Sequence, residues 1–374
     1  MLERFRKLIF WMHLICGVVA GLVILTMSIT GLVLTYEKQI ANWADDFEVV
    51  PPVTGAAKLS PKMLLTKAQS EMQKKPTAVR LLSEPNKPAK LYFGRESITI
   101  NPYTGEHLGE GAVKVRGFFR AMIVWHRWLG QDGEGKATGK AITGVCNLAF
   151  LFILVSGPYL WWPKQWTWKN LRSIILFRSG LPPKARDFNW HNVIGVWLAI
   201  PLFLIAGTGT FFSYSWTNDM LYSLTGEERT QSGGKGSSDG VDKETENPED
   251  FSGLDKLFQR AVAIEPEWTS ITVRLADDST TPVTFSIDRG NGFRPDLRST
   301  LLLDRETGDI VRHDTYDDNK TAYKARRWIR YIHTGEAGGL IGQTLAGVAS
   351  LGGCLLVYTG LMLSWRRFRA WREK

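Results

Sequence analysis

The chain is poor in the features that soluble enzymes and disulfide scaffolds depend on. Of its 374 residues only three are cysteine, Cys16, Cys146 and Cys354, and each falls in an apolar run. The polar stretches therefore have no disulfide framework. There is no C-x-x-C and no C-x-x-C-H, which excludes a thiol redox pair and covalent haem attachment. A phosphate-binding loop, a G-x-G-x-x-G turn and a recognisable nucleophile triad are missing too. Acidic residues are absent from 163–186, and none lies well inside the long apolar runs. A carboxylate proton relay through those runs is thereby disfavoured.

Four long apolar segments are present, roughly 8–36, 141–162, 191–216 and 338–365. Each reaches the ~20 residues that a transmembrane helix needs. Two polar stretches, about 37–125 and 217–332, separate them. The net charge of +9 is concentrated in MLERFRK, in the 163–186 loop and in WRRFRAWREK. An even number of spans puts all three on one side, as the positive-inside rule expects of a cytoplasmic face. The charge thus reads as topology and not as nucleic-acid binding. Both termini are expected in the cytoplasm, and both polar stretches in the periplasm of a bacterial inner membrane. The first segment is longer than a signal-peptide core and lacks an A-x-A-like site, so it reads as an uncleaved span.

The chain resembles itself, at an offset of 178 between the first and third apolar segments. HLICGVVAGLVILTMSITG (13–31) matches HNVIGVWLAIPLFLIAGTG (191–209), and SGPYLWWPK (156–164) matches TGLMLSWRR (359–367). In the polar stretches TAVRL (77–81) echoes ITVRL (271–275), and ITINPYTGEHLG (98–109) echoes LLLDRETGDIVR (301–312). The last pair are β-like runs ending in [ND]-x-x-T-G turns. Helical patterns, KMLLTKAQSEM and GLDKLFQRAVAI, precede the strands.

The fold class expected is an α-helical membrane protein with four transmembrane helices and two small periplasmic α+β domains, built by internal duplication. Its boundaries are a first span with a basic N-terminus (1–36), a first domain (37–117), and an interfacial helix with the second span (118–162). A basic loop (163–187), the third span (188–216) and a second domain (217–324) with a flexible loop over 226–250 follow. An interfacial helix with the fourth span (325–366) and a tail (367–374) complete it.

Four of the six histidines sit at span ends: His13, His126, His191 and His333. Topology pairs His13 with His191 on the cytoplasmic side and His126 with His333 on the periplasmic side. Two neutral imidazoles from different helices are what bis-histidine ligation of a b-type haem requires, so two haem b groups are expected. Gly17 and Gly195, one turn from their histidines, would let a flat ring approach the backbone. Gly31 and Gly209 lie eighteen residues on, about 27 Å along a helix, near the other haem. Arg120, Arg127, Arg327 and Arg330 on one side, and Arg6 and Lys7 on the other, would hold propionates. A zinc site would want three or four clustered ligands, and no such spacing is visible. His107 and His313 read as solvated.

The H-x3-G-x12-T-G pattern, the [ND]-x-x-T-G turns and the SGxxLWW/TGxxLSW span ends resemble the PepSY-associated transmembrane family over essentially the whole chain. The resemblance is strongest to the ferrioxamine-type siderophore reductases of Gram-negative bacteria, and implies PepSY-like domains and a dihaem reductase of periplasmic ferric siderophore. Oxygen chelators hold Fe(III) far better than Fe(II), so one electron loosens the metal. Tyr214, Trp216, Tyr222, Trp125 and Tyr331 are the candidate substrate contacts. The partners expected are the ferric siderophore, a quinol or cytoplasmic electron donor, and the lipid bilayer. A non-enzymatic sensory protein, a permease and an electron carrier to another acceptor stay open.

Overall fold

The computed structural model describes residues 2–45, 47–53, 55–72, 74–94, 96–109, 111–163, 165–227, 251–275 and 281–373. Beyond Glu227, the loop expected over 226–250 lies outside the described residues. The helices are α1 Leu2–Leu34, α2 Glu37–Ala44, α3 Pro61–Met72, α4 Val113–Trp128, α5 Gly135–Trp161, α6 Trp168–Ile175, α7 Pro183–Ser213, α8 Ser215–Leu224, α9 Leu254–Ile264, α10 Thr321–His333 and α11 Gly339–Arg372. The strands are β1 Ala78–Leu82, β2 Ala89–Phe93, β3 Glu96–Ile100, β4 His107–Gly109, β5 Ser270–Arg274, β6 Val283–Asp288, β7 Arg298–Leu303 and β8 Ile310–Asp314.

The chain divides into a helical unit (1–37, 117–226, 325–374) and a sheet unit (38–116, 227–324). In the helical unit, α1, α5, α7 and the helix ending at Arg372 are long and apolar enough to cross a membrane. They close a ring in which α1 packs on α5 and α11, and α7 packs on the same two. Helices α1 and α7, which carry the matching histidine-headed sequences, are therefore diagonal. The loop between α5 and α7 is tied down by Asn189. Its side chain accepts from the Arg178 amide at 3.0 Å and donates to the Ser173 and Leu176 carbonyls.

In the sheet unit the two polar stretches, each expected to form a small domain, share one sheet. Each polar stretch supplies four strands, and all eight form one sheet in the order β4-β3-β2-β1-β5-β6-β7-β8. The joint is the antiparallel pair β1–β5, with Val79 opposite Val273 and Leu81 opposite Ile271. These are the two segments that echo each other in sequence. Strand alternation is visible in β7, where Ser299, Leu301 and Leu303 are buried and their neighbours less so. On α9 the buried residues Leu254, Leu257, Phe258 and Ala261 mark a helical stripe. They join Leu64, Leu65 and Ala68 of α3 and the strand residues in one apolar core. Burying each large side chain contributes about 1.5–3 kcal/mol. The expected turns form as pattern demands: the amides of Gly105 and Gly308, both at positive φ, bond to the carbonyls of Asn101 and Asp304.

A carboxylate holds the start of each histidine-bearing helix that follows a polar stretch. Asp45, 6 % exposed, accepts from the Ala112 amide just before α4 and pairs with Arg116 and Lys90. Glu227 accepts from the Thr321 and Ala322 amides at the start of α10. Burial pushes the Asp45 carboxyl up. Hydrogen bonds from Lys90, Ala112 and Arg116 outweigh it and hold the group below the ordinary aspartate range.

Candidate functional site

Four helices of the helical unit each carry one of the histidines. Helix α1 carries His13, α4 His126, α7 His191 and α10 His333. The same local device positions all four. The Nδ1 of His13 lies 2.8 Å from Ser156 Oγ, and that of His126 lies 3.0 Å from Thr30 Oγ1. His191 Nδ1 lies 2.9 Å from Thr359 Oγ1, and His333 Nδ1 3.2 Å from Thr208 Oγ1. Each hydroxyl donates its one proton back to its own helix: Thr30 to the Thr26 carbonyl at 2.7 Å, Thr359 to that of Leu355 at 2.7 Å, Thr208 to that of Leu204 at 2.6 Å and Ser156 to that of Ile153 at 3.3 Å. It therefore presents a lone pair to the ring, and Nδ1 carries the hydrogen. His333 fixes this tautomer independently, because its Nδ1 also sits 2.9 Å from the Ile205 carbonyl, which can only accept. Nε2 is then the unprotonated nitrogen, on the far side of the ring.

Every supporting hydroxyl is followed by a glycine. A Cβ at Gly31, Gly157, Gly209 or Gly360 would lie 3.4–3.7 Å from Cε1 of the facing histidine. Gly31 and Gly209 thus lie against imidazole edges of His126 and His333, where the sequence led us to expect a macrocycle. At Gly17 a Cβ would meet nothing within 4 Å, and at Gly195 only Leu356 at 3.7 Å.

Two further glycines seat the ends of α4 and α10. A Cβ at Gly139 would fall 2.2 Å from the Trp128 carbonyl, and one at Gly342 would fall 2.3 Å from the Gly335 carbonyl. Each is a contact with backbone that no side chain can relieve. Thr143 adds a 3.0 Å bond to the Arg127 carbonyl. The turns that follow His126 and His333 are thereby locked onto α5 and α11.

His126 and His333 come together: their ring centres are 6.2 Å apart, with planes at 64°. Two imidazoles on opposite sides of one metal, at the roughly 2.0–2.1 Å usual for histidine nitrogen, have centres about 6 Å apart. Burial, and after it the facing His333, hold His126 down at about 4; burial lowers His333 as well. Both rings are neutral near pH 7, the state in which imidazole binds a metal. His13 and His191 lie close enough to interact electrostatically. Seventeen residues separate His13 from Thr30 and His191 from Thr208, so the two histidine pairs are about 25 Å apart along the helices. Leu154, Leu202, Ala206 and Ala349 form a buried apolar core within the ring. Among the described residues no third His, Cys, Asp or Glu makes a metal cluster with either pair.

The other expected residues divide. Arg127 stacks over Trp128 at 4.8 Å and Arg330 over Tyr331 at 5.5 Å, while Arg120 is exposed and Arg327 half-buried. Arg6 donates to the Leu160 carbonyl, which ties it to α5. Tyr214 and Trp216 meet at the α7–α8 junction, 6.1 Å apart. Trp125 is exposed, Tyr222 half-buried, and Tyr331 only 3 % exposed, so Tyr331 offers little surface to a bulky substrate. His313 is not simply solvated: its Nε2 lies 3.1 Å from Glu265 Oε1. His107 is exposed on β4. Sequence reasoning missed the hydroxyls of Ser156, Thr30, Thr359 and Thr208, and both seating glycines. The available signal was an [ST]-G pair in each span, at 30–31, 156–157, 208–209 and 359–360.

A search of curated proteins finds no match to this chain. The sequence model for the PepSY-associated TM region matches residues 10–367, which takes in all four spans, all four histidines and the whole sheet unit between them. The chain belongs to the PepSY-associated TM family.

Proposed function

We propose that the protein is a dihaem b-type oxidoreductase of the bacterial inner membrane, passing electrons from the cytoplasmic side to a ferric siderophore in the periplasm. The observation that carries this reading is the fourfold Nδ1–hydroxyl device together with the 6.2 Å spacing of His126 and His333. An imidazole held through Nδ1–H offers Nε2 to a metal in a fixed orientation and with raised basicity. His126 and His333 would hold one haem b, and His13 and His191 a second. A bound haem supplies one-electron exchange.

The chain's own contribution is placement and insulation. Four hydroxyls fix the ring orientations, and Gly139 and Gly342 fix the helices that bring His126 and His333. The apolar core between the pairs keeps water and protons off the path. The basic N-terminus, 163–186 loop and C-terminal tail support a cytoplasmic location for the His13/His191 end. The paired strands and repeated contacts support two halves that arose by duplication. Tyr214, Trp216 and Trp125 are the aromatic side chains we assign to substrate contact. A separate quinol or cytoplasmic donor supplies the electrons. Release of ferrous iron needs no protein nucleophile, because reduction alone weakens oxygen chelation.

A pyridine haemochrome assay on purified protein should give two haem b per chain. Dithionite-reduced protein should be reoxidised by a ferric hydroxamate siderophore, with Fe(II) captured by a chromogenic chelator. Haem-replete protein without a Soret band would refute the reading. Fast reoxidation by cupric ion or a quinone, but not by ferric siderophore, would redirect it to an electron carrier with another acceptor.

A further inference from the structure

A charge cluster around a buried carboxylate lies beside the histidine device at the His13/His191 end. Asp187, on α7 one turn before His191, has a side chain 1 % exposed. Arg186 bonds its Oδ1 through Nε at 3.1 Å and Nη2 at 2.9 Å. Arg366 of α11 brings Nη1 to 2.7 Å from Oδ2. That approach is poorly directed: Asp187 Oδ2 and Arg366 Nη1 are both buried and neither makes a well-aligned hydrogen bond. Two guanidiniums around one carboxylate leave an excess positive charge on side chains 43 % and 25 % exposed, with one buried donor, Arg366 Nη1, in incomplete geometry. Arg366 lies seven residues beyond Thr359, the residue that holds His191, and so on the same face of α11. The matching positions of the other half are Ile9 and Pro163, so the two halves do not share this feature.

An excess cation in a membrane-embedded helix bundle attracts an anion. A planar guanidinium, with donors beyond the one that faces Asp187, is shaped for a second carboxylate. Of Arg6 and Lys7, the sequence-based choices at this end, Arg6 donates to the Leu160 carbonyl. We infer that Arg366, held by Asp187 and assisted by Arg186, is a carboxylate-binding site at the His13/His191 end, and that it takes a propionate of the porphyrin those histidines hold. The inference rests on the haem reading above. It makes the two haem sites unequal, because an excess cation beside one site favours its reduced form.

The test is a spectroelectrochemical titration of the full chain with a parallel haem-loss assay. Arg366→Gln should lower one of two midpoint potentials, leave the other in place and speed haem loss from one site by about tenfold. Arg366→Lys, which keeps the charge but not the fork, should restore most of the potential and less of the retention. Protein loaded with haem dimethyl ester should show no difference in haem loss between wild type and Arg366→Gln. Two haems with both potentials unmoved in Arg366→Gln, or a difference in haem loss that persists with the ester, overturns the carboxylate site alone. A wild type without haem overturns the functional reading instead.

Discussion

The two halves of the chain share a geometry and differ in what surrounds it. In both, a span hydroxyl grips a histidine Nδ1, a glycine lies against the edge of the ring and a second glycine seats the returning helix. Around that skeleton the residues diverge. Phe212 packs edge-on against the His333 ring at 5.2 Å, where the first half has Leu34 at the matching position. Asn147 lies beside Gly209 and donates to the Ala206 carbonyl, while Ser350 lies beside Gly31. The first half clamps its returning helix with buried Asp45 and two cations, the second with the more exposed Glu227. The part held constant is the orientation of four nitrogens. The part allowed to vary is local polarity and charge, the quantities that tune electron affinity.

The largest test of that equivalence is removal of the histidines themselves. His13→Ala or His191→Ala should empty one site, and His126→Ala or His333→Ala the other, each halving haem per chain in a haemochrome assay; a full complement in any of them breaks the ligand assignment. Asp45→Asn should destabilise the full chain by about 3 kcal/mol, as loss of one partner from a buried ion pair does. Glu227→Gln should do distinctly less, both read as thermal unfolding by circular dichroism. Because the Asp45 carboxyl is depressed by folding, its stabilisation is present above the ordinary aspartate value of ~3.9. It is lost as pH falls through the lower folded-state value, so wild type and Asp45→Asn should converge in acid and part again near neutrality.

Gly139→Ala and Gly342→Ala should each cost about 1–3 kcal/mol from overpacking against backbone. Both should broaden the haem spectrum of the His126/His333 site and leave the other sharp; an unchanged spectrum would show that the seating glycines do not govern ring placement. Thr208→Val and Thr359→Val should each loosen haem about tenfold, at opposite ends of the bundle, in transfer to a scavenger protein. The smallest effect is expected at Gly31, where an added methyl meets His126 at 3.4 Å, an ordinary contact.

Much of this architecture was legible in the sequence because its signals are local. A run of about twenty apolar residues reads as a span whatever packs beside it, and the 178-residue offset paired His13 with His191 at once. The turns at Gly105 and Gly308 followed from [ND]-x-x-T-G, since only the loop's own residues decide them. Partner choice was harder. The pairs Thr30-Gly31 and Ser156-Gly157 were visible, but which histidine each would hold depends on which helices are neighbours. Gly139 reads as an ordinary helix glycine until Trp128 is seen against it. The similarity of TAVRL and ITVRL was noted as an echo, yet two like strands can also sit in separate domains, and nothing local says that they hydrogen-bond.

That strand pairing bears on how the protein is made. Strands β1 and β5 are roughly 190 residues apart in the chain. At about 5–20 residues per second, synthesis leaves the edge of β1 bare for on the order of 10–40 s. Meanwhile two more apolar segments must enter the lipid. A nascent first half is therefore sticky along one side, open to any other extended peptide. Chains truncated before Ser270 should dimerise or engage chaperones, with one copy's unfilled edge standing in for the strand that never arrived.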